Sequence, residues 1–181
     1  MEIKAGDVLY TEEDYYKLPD GKRAELINGV FYDMAAPSLV HQRILANLTI
    51  DIGRYIRSRG GDCEVFPAPF AVKLMGDDKT IVEPDISVIC DKDKLTDKGC
   101  EGAPDWIIEI LSPSNYIHEI KFKLDLYMNA GVREYWMINP EDSTVMVYRK
   151  LDDDYLCHRY TFEDNIRVGI YEGLELKVRA E

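Results

Sequence analysis

The sequence predicts an α/β fold built on a mixed central sheet flanked by helices. Helical and strand-like segments alternate along the chain, and several strand pairs are joined by hairpin-length turns. Two strongly apolar runs, IVEPDISVIC and WIIEILSPS, are rich in Ile and Val, and the second carries apolar side chains on both faces, as a central strand covered from two sides does. With 181 residues, 46% of them hydrophobic and 10% aromatic, the chain is expected to fold as a single domain over residues 1–181 with a sizeable core.

Thr11 is a good N-cap for a short helix that has Glu12, Glu13 and Asp14 in its first turn, with Pro19-Asp20-Gly21 ending it. RAELINGVFYDMA then reads as two short strands around the type I′ turn signal Asn28-Gly29. Strand alternation puts Glu25 on the face of Ile27; an exposed glutamate at a strand start is the plainer reading of it. The longest helix is expected from Ser38 to about Arg59, on the stripe Ile44, Leu48, Ile52 and Ile56. His41 shares that stripe, either as a hydrogen-bonded neighbour of the core or as a functional group. Arg54, Arg57 and Arg59 form the densest basic cluster, and the helix dipole alone favours cations there.

CEVFPAPFAVKLMG is expected to give two strands broken by Pro67-Ala68-Pro69. The next strand begins near Thr80, and Pro84, which has no N–H to donate, marks an edge, a bulge or the strand's beginning. DKDKLTDKGCEGAP is a loop or a short helix, and WIIEILSPS the second central strand, with Glu109 on the face of Ile107 and Leu111. A helix from about Tyr116 to Asn129 turns Ile117, Ile120, Leu124, Tyr127 and Met128 inward and is flanked by Lys121 and Lys123. EYWMINP, TVMVYRKL and YLCHRYTF follow as strands, then one or two short closing strands or arms.

Composition narrows the function. Thirty-four acidic residues against 22 basic ones give a net charge of -12, which argues against tight, non-specific nucleic-acid binding unless a basic patch or bound metal ions serve. No apolar run approaches a membrane span, and MEIKAGDVLY lacks the basic-then-apolar order of a signal peptide, so no membrane attachment and a cytoplasmic location are expected. Cys63, Cys90, Cys100 and Cys157 form no CxxC pair and are expected to be scattered reduced thiols.

Asp85 and Glu109 carry the chemical signal. A lone carboxylate in or beside a buried strand is costly unless a cation, a proton or a donor compensates, and two on neighbouring strands repel unless something positive sits between them. Carboxylate oxygens suit Mg²⁺ or Mn²⁺, which can polarise a phosphodiester and activate water. Lys121 or Lys123 lies just beyond the second strand to support such chemistry. Carboxylates beside turns or in salt bridges would give the same pattern. No GxSxG elbow, P-loop, GxGxxG or HExxH is present.

AELINGVFYDMA, SLVHQRILANL, VEPDISVI, DWIIEILSPS and LYMNAGVREYWMINP occur in an order that resembles the Uma2 family, formerly a domain of unknown function, within the PD-(D/E)XK nuclease superfamily. The resemblance covers roughly residues 10 to 150. It implies a restriction-endonuclease-like core with additional antiparallel strands, and a metal where the strands of Asp85 and Glu109 separate. It implies catalytic roles for Glu25, His41, Asp85, Glu109 and Lys123, with Lys121 as second choice. Asp85, Glu109 and the Ile110 carbonyl would be the metal ligands. The chain departs from the superfamily pattern at Leu111, where ExK demands a lysine; the resemblance moves that lysine to Lys123, with Glu119 standing where an aspartate is usual. The expectation is a Mg²⁺- or Mn²⁺-dependent endonuclease acting on DNA, with a homodimer as the expected assembly. The alternatives are a non-catalytic nuclease-fold binding or regulatory protein and a purely structural domain with salt-bridged carboxylates.

Overall fold

The computed structural model describes residues 9–112 and 117–181, without the side chains of 117–120. The expected strand end at Pro113-Ser114, the inward Ile117 and Ile120, and Glu119 therefore lie outside the described residues.

Helix α1 (Glu12–Tyr15), N-capped by Thr11, leads into the hairpin β1 (Ala24–Ile27) and β2 (Val30–Asp33). Asn28 and Gly29 both adopt positive φ, at 50° and 78°, as the I′ turn requires. Helix α2 (Leu39–Arg59) starts where Ser38 accepts a hydrogen bond from the His41 N–H, and it stops at left-handed Gly60. β3 (Glu64–Pro67) and β4 (Val72–Lys73) follow, with Ala68-Pro69 between them. The run that begins at Thr80 is two strands, β5 (Ile81–Val82) and β6 (Ile86–Ile89), because Pro84 cannot continue a ladder. The acidic segment after it is neither a bare loop nor only a short helix: a 3-10 turn at Lys92–Lys94 precedes the hairpin β7 (Leu95–Thr96) and β8 (Gly99–Glu101). β9 (Trp106–Ile110), α3 (Ile117–Ala130), β10 (Glu134–Asn139), β11 (Thr144–Leu151), β12 (Asp154–Thr161), β13 (Ile166–Arg167) and β14 (Glu175–Leu176) complete the chain.

The main sheet has the order β12-β11-β10-β9-β6-β3, with β9 and β10 parallel and the other pairs antiparallel. α3 is the crossover that a parallel β9–β10 pair needs. A second sheet, β2-β1-β5-β4-β8-β7, collects the short strands. On one face of the main sheet, Trp106, Ile108 and Trp136 pack with Ile44, Leu48 and Ile52 of α2 and with the C-terminal Val168 and Leu176. On the other, Ile107 and Tyr135 pack with Leu126 and Tyr127 of α3 and with Ile27, Val72 and Val82 of the second sheet.

Cys63 and Cys90 are joined in a disulfide, correcting the expectation of reduced thiols. β3 and β6 pair Glu64 with Ile89, so the two cysteines lie opposite each other one position beyond that rung although 27 residues separate them. Cys100 and Cys157 are free. No helix among the described residues is long and apolar enough to cross a membrane.

Glu134 is fully buried at the start of β10. Its carboxylate accepts from Trp136 Nε1 at 2.7 Å, Arg149 Nε at 3.3 Å, and the Gly169 and Ile170 backbone N–H groups at 2.6 and 3.0 Å, tying the C-terminal segment to the main sheet. Truncation strands those buried donors and takes the carboxylate away from the half-buried Arg149. Glu134→Ala is therefore expected to lower unfolding free energy in urea by about 3–5 kcal/mol. The exposed Glu141→Ala should stay within about 0.5 kcal/mol of the parent. Equal midpoints for the two variants would contradict this role.

Candidate functional site

The site forms where the chain passes from the second sheet to the main one. β5 ends at Val82, β6 begins at Ile86, and Glu83-Pro84-Asp85 spans the step. Asp85 is held there through both its backbone and its side chain. Its carbonyl accepts the Ala68 N–H at 2.9 Å, and its Oδ2 accepts the Ile110 N–H at 2.7 Å and lies 3.1 Å from His41 Nε2. β6 pairs with β9 only as far as Ile86 opposite Ile108, so the Ile110 N–H has no strand partner and turns to the Asp85 carboxylate. Leu111 donates to Ile138 on the opposite edge. In an extended strand the N–H and C=O of one residue face the same way, which aims the Ile110 carbonyl toward Asp85 as well.

His41 is buried on the first turn of α2. Burial pulls its pKa down, but the hydrogen bond and charge of Asp85, the charge of Glu109 and a hydrogen bond to the Ile110 backbone outweigh that, and the net direction is upward. Its Nδ1 is buried and has no hydrogen-bond partner among the described residues.

Glu109 and Glu25 meet on the other face of β9. Glu25 is only 4% exposed, which overturns the reading of it as an exposed strand-start residue. Its Oε1 accepts the Glu83 N–H at 3.0 Å, fixing β1 against the Asp85 turn. The Lys123 ammonium reaches between the two acids, 2.9 Å from Glu25 Oε2 and 3.0 Å from Glu109 Oε1. Lys121 is exposed two residues earlier on α3, and the structure brings Lys123 to these carboxylates instead.

Burial is the largest influence on Glu109 and, with the charges of Asp85 and Glu25, pushes its carboxyl up to about 7 against the opposing pull of Lys123 and the Tyr127 hydrogen bond. Burial acts to lower the Lys123 pKa, yet Glu109 and Glu25 together hold it well above its ordinary value. The ammonium thus supplies the positive charge that two neighbouring buried carboxylates need.

Two features escaped the sequence reading. Tyr127 is more than an inward helix residue: its hydroxyl donates to Glu109 Oε1 at 2.6 Å. The available signal was its position four residues after Lys123, one turn along the same helix face. Glu83 is buried and paired with Arg23, and it accepts from the Tyr15 hydroxyl at 2.8 Å. Its place beside Pro84-Asp85 was a hint, but its partners are 60 and 68 residues away.

Among the described residues, no three His, Cys, Asp or Glu side chains are grouped as a metal centre. Asp85, Glu109 and the Ile110 carbonyl offer oxygen donors only, the chemistry that suits Mg²⁺ or Mn²⁺ and not a soft metal. Two carboxylates with water completing the shell are an ordinary magnesium set, so the residues present fit such an ion.

Removing the lysine charge should expose the repulsion that it masks. Lys123→Met is expected to cost about 3–5 kcal/mol in urea unfolding with EDTA present. Adding Glu25→Gln to that variant should recover part of the loss, because one fewer buried charge is then left unpaired. Strictly additive losses would show that the three groups do not form one unit.

The chain matches the Uma2 family, described as "Putative restriction endonuclease", over residues 12–179. It is 26% identical over 160 residues to the uncharacterized protein slr1290 of Synechocystis sp., covering 86% of this chain and 83% of that one. A crystal structure from Anabaena variabilis ATCC 29413, of a "putative nuclease belonging to DUF820", superposes with a TM-score of 0.75 at 24% identity, over 93% of this chain and 94% of that one. The mixed sheet flanked by helices is thus a restriction-endonuclease-like architecture. The chain belongs to the Uma2 family.

Proposed function

We propose that the protein is a metal-dependent nuclease that hydrolyses phosphodiester bonds in DNA. One observation carries this reading: Asp85 and Glu109 stand at the step between the two sheets, with His41 against one and Lys123 against the other. The family description and the fold likeness to a protein described as a nuclease support it.

In this reading Asp85, Glu109 and the Ile110 carbonyl would hold Mg²⁺ or Mn²⁺. Such an ion supplies Lewis-acid polarisation of the phosphate and a lowered pKa for bound water. His41 and the Ile110 N–H fix the orientation of Asp85. Lys123, itself held by Glu25, places a positive charge beside Glu109, where it orients water and offsets charge developing on the phosphate. Lys123 thereby takes the place that Leu111 cannot fill. The protein's net charge of -12 favours a second reading, a non-catalytic nuclease-fold protein with the same carboxylates and lysine.

Purified protein incubated with Mg²⁺ or Mn²⁺ and supercoiled plasmid is expected to nick and linearise the DNA. Asp85→Ala and Glu109→Ala should abolish both cleavage and calorimetric Mn²⁺ uptake. Lys123→Ala should slow cleavage about 10²–10³-fold, as loss of one charge-stabilising donor does. Intact plasmid, single-stranded DNA and RNA at all metal concentrations would favour the non-catalytic reading.

A further inference from the structure

The two sides of the Glu109 carboxylate are differently occupied. Every hydrogen bond that it receives from a described residue falls on Oε1: the Tyr127 hydroxyl at 2.6 Å and the Lys123 ammonium at 3.0 Å. Lys123 divides its donors between Glu109 and Glu25, whereas the Tyr127 hydroxyl is committed to Glu109 alone. Nor can the tyrosine readily turn away. Its side chain is fully buried, and its ring packs against Tyr135 with centroids 5.1 Å apart. Packing therefore locks the donor, and the donor locks the carboxylate rotamer.

We propose that Tyr127 is a positioning residue which, by holding Glu109 Oε1, presents Oε2 as the oxygen that meets a divalent cation. This rests on the metal-dependent reading of the site given above. Asp85 shows the same division. Its Oδ2 takes both the Ile110 N–H and the His41 contact, so Oδ1 is the corresponding metal-facing oxygen. Among the described residues each acid has one oxygen held by hydrogen bonds and one that receives none, an arrangement in which outer partners can orient a metal-binding carboxylate. A tyrosine that served only to satisfy its own buried hydroxyl would stabilise the fold without setting metal affinity.

Tyr127→Phe keeps the ring and deletes only the hydroxyl. With glutamate carboxyls labelled by carbon-13 and the Glu109 signal assigned from its loss in Glu109→Gln, the metal-free Glu109 resonance is expected to move in Tyr127→Phe. Calorimetric titration with Mn²⁺ should show affinity weakened by about 10–100-fold relative to the parent. Ile107→Val loosens the same face of β9 without touching the hydroxyl, and it should leave the Mn²⁺ constant within about twofold of the parent. A parent protein that binds Mn²⁺ alongside a Tyr127→Phe variant of equal affinity overturns the role of Tyr127 and leaves the metal reading standing. An equal loss in Ile107→Val also overturns it, because general loosening would then be the cause. A parent protein that takes up no Mn²⁺ overturns the metal reading and the proposal together.

Discussion

The Lys123 ammonium, held between Glu25 and Glu109, is the contact on which the arrangement of the site depends. Three separate elements meet at that one nitrogen: β1 of the second sheet, β9 of the main sheet, and the α3 crossover. Their acids are buried, so in the absence of the cation they would oppose one another across a region of low dielectric. The lysine makes their approach tolerable, and the Tyr127 hydroxyl and the Glu83 N–H donate further hydrogen bonds to Glu109 and Glu25. Lys123 is therefore a structural tie between β1, β9 and α3 as well as a candidate participant in the chemistry. Substitutions at Lys123 act on both roles, and stability and activity have to be measured separately there.

The sequence exposed those parts of the molecule that are encoded locally. Ser38 and Gly60 bracket α2, Asn28-Gly29 turns the first hairpin, and the two apolar runs lie side by side in the main sheet as β6 and β9. Asp85 and Glu109 were legible because a carboxylate among Ile and Val is conspicuous. Pro84 announced the discontinuity, although not that it separates strands of two different sheets. Lys123 was distinguishable from Lys121 only through the family resemblance, since both flank the helix stripe. Glu134, Glu83 and the Cys63–Cys90 pair were not legible, because their partners come together only when distant strands adopt their register. Tyr127 looked like core, which it is. A hydroxyl on a core residue needs a partner, and that requirement does not name the partner in advance.

The step between the sheets explains why the groups of the candidate site gather at this position, rather than at another along the strands. A residue inside a ladder has its backbone groups committed to neighbours, whereas β6 stops at Ile86 and leaves the edge of β9 beyond Ile108 open. The Ile110 N–H and carbonyl are thereby released toward Asp85. The antiparallel pairing that builds the core thus also determines where it ends, and the end is where backbone and carboxylate can face a common ligand.

Charge gives the hydrolytic reading its internal logic. Around the step, Glu25, Glu83, Asp85 and Glu109 face the two firm cations Arg23 and Lys123, with His41 beside Asp85. The balance is negative, in keeping with the chain's net charge of -12. The exposed Arg43, Arg54 and Arg57 of α2 do not correct it, because helical periodicity turns them away from the buried face that carries His41. A phosphodiester approaching this step alone would meet repulsion. A bound divalent cation would bring the local balance close to neutral and give the phosphate a positive centre to approach. In this reading the metal is thus a condition for the substrate to reach the site as well as a participant in the chemistry, and DNA binding at the site should be coupled to metal binding.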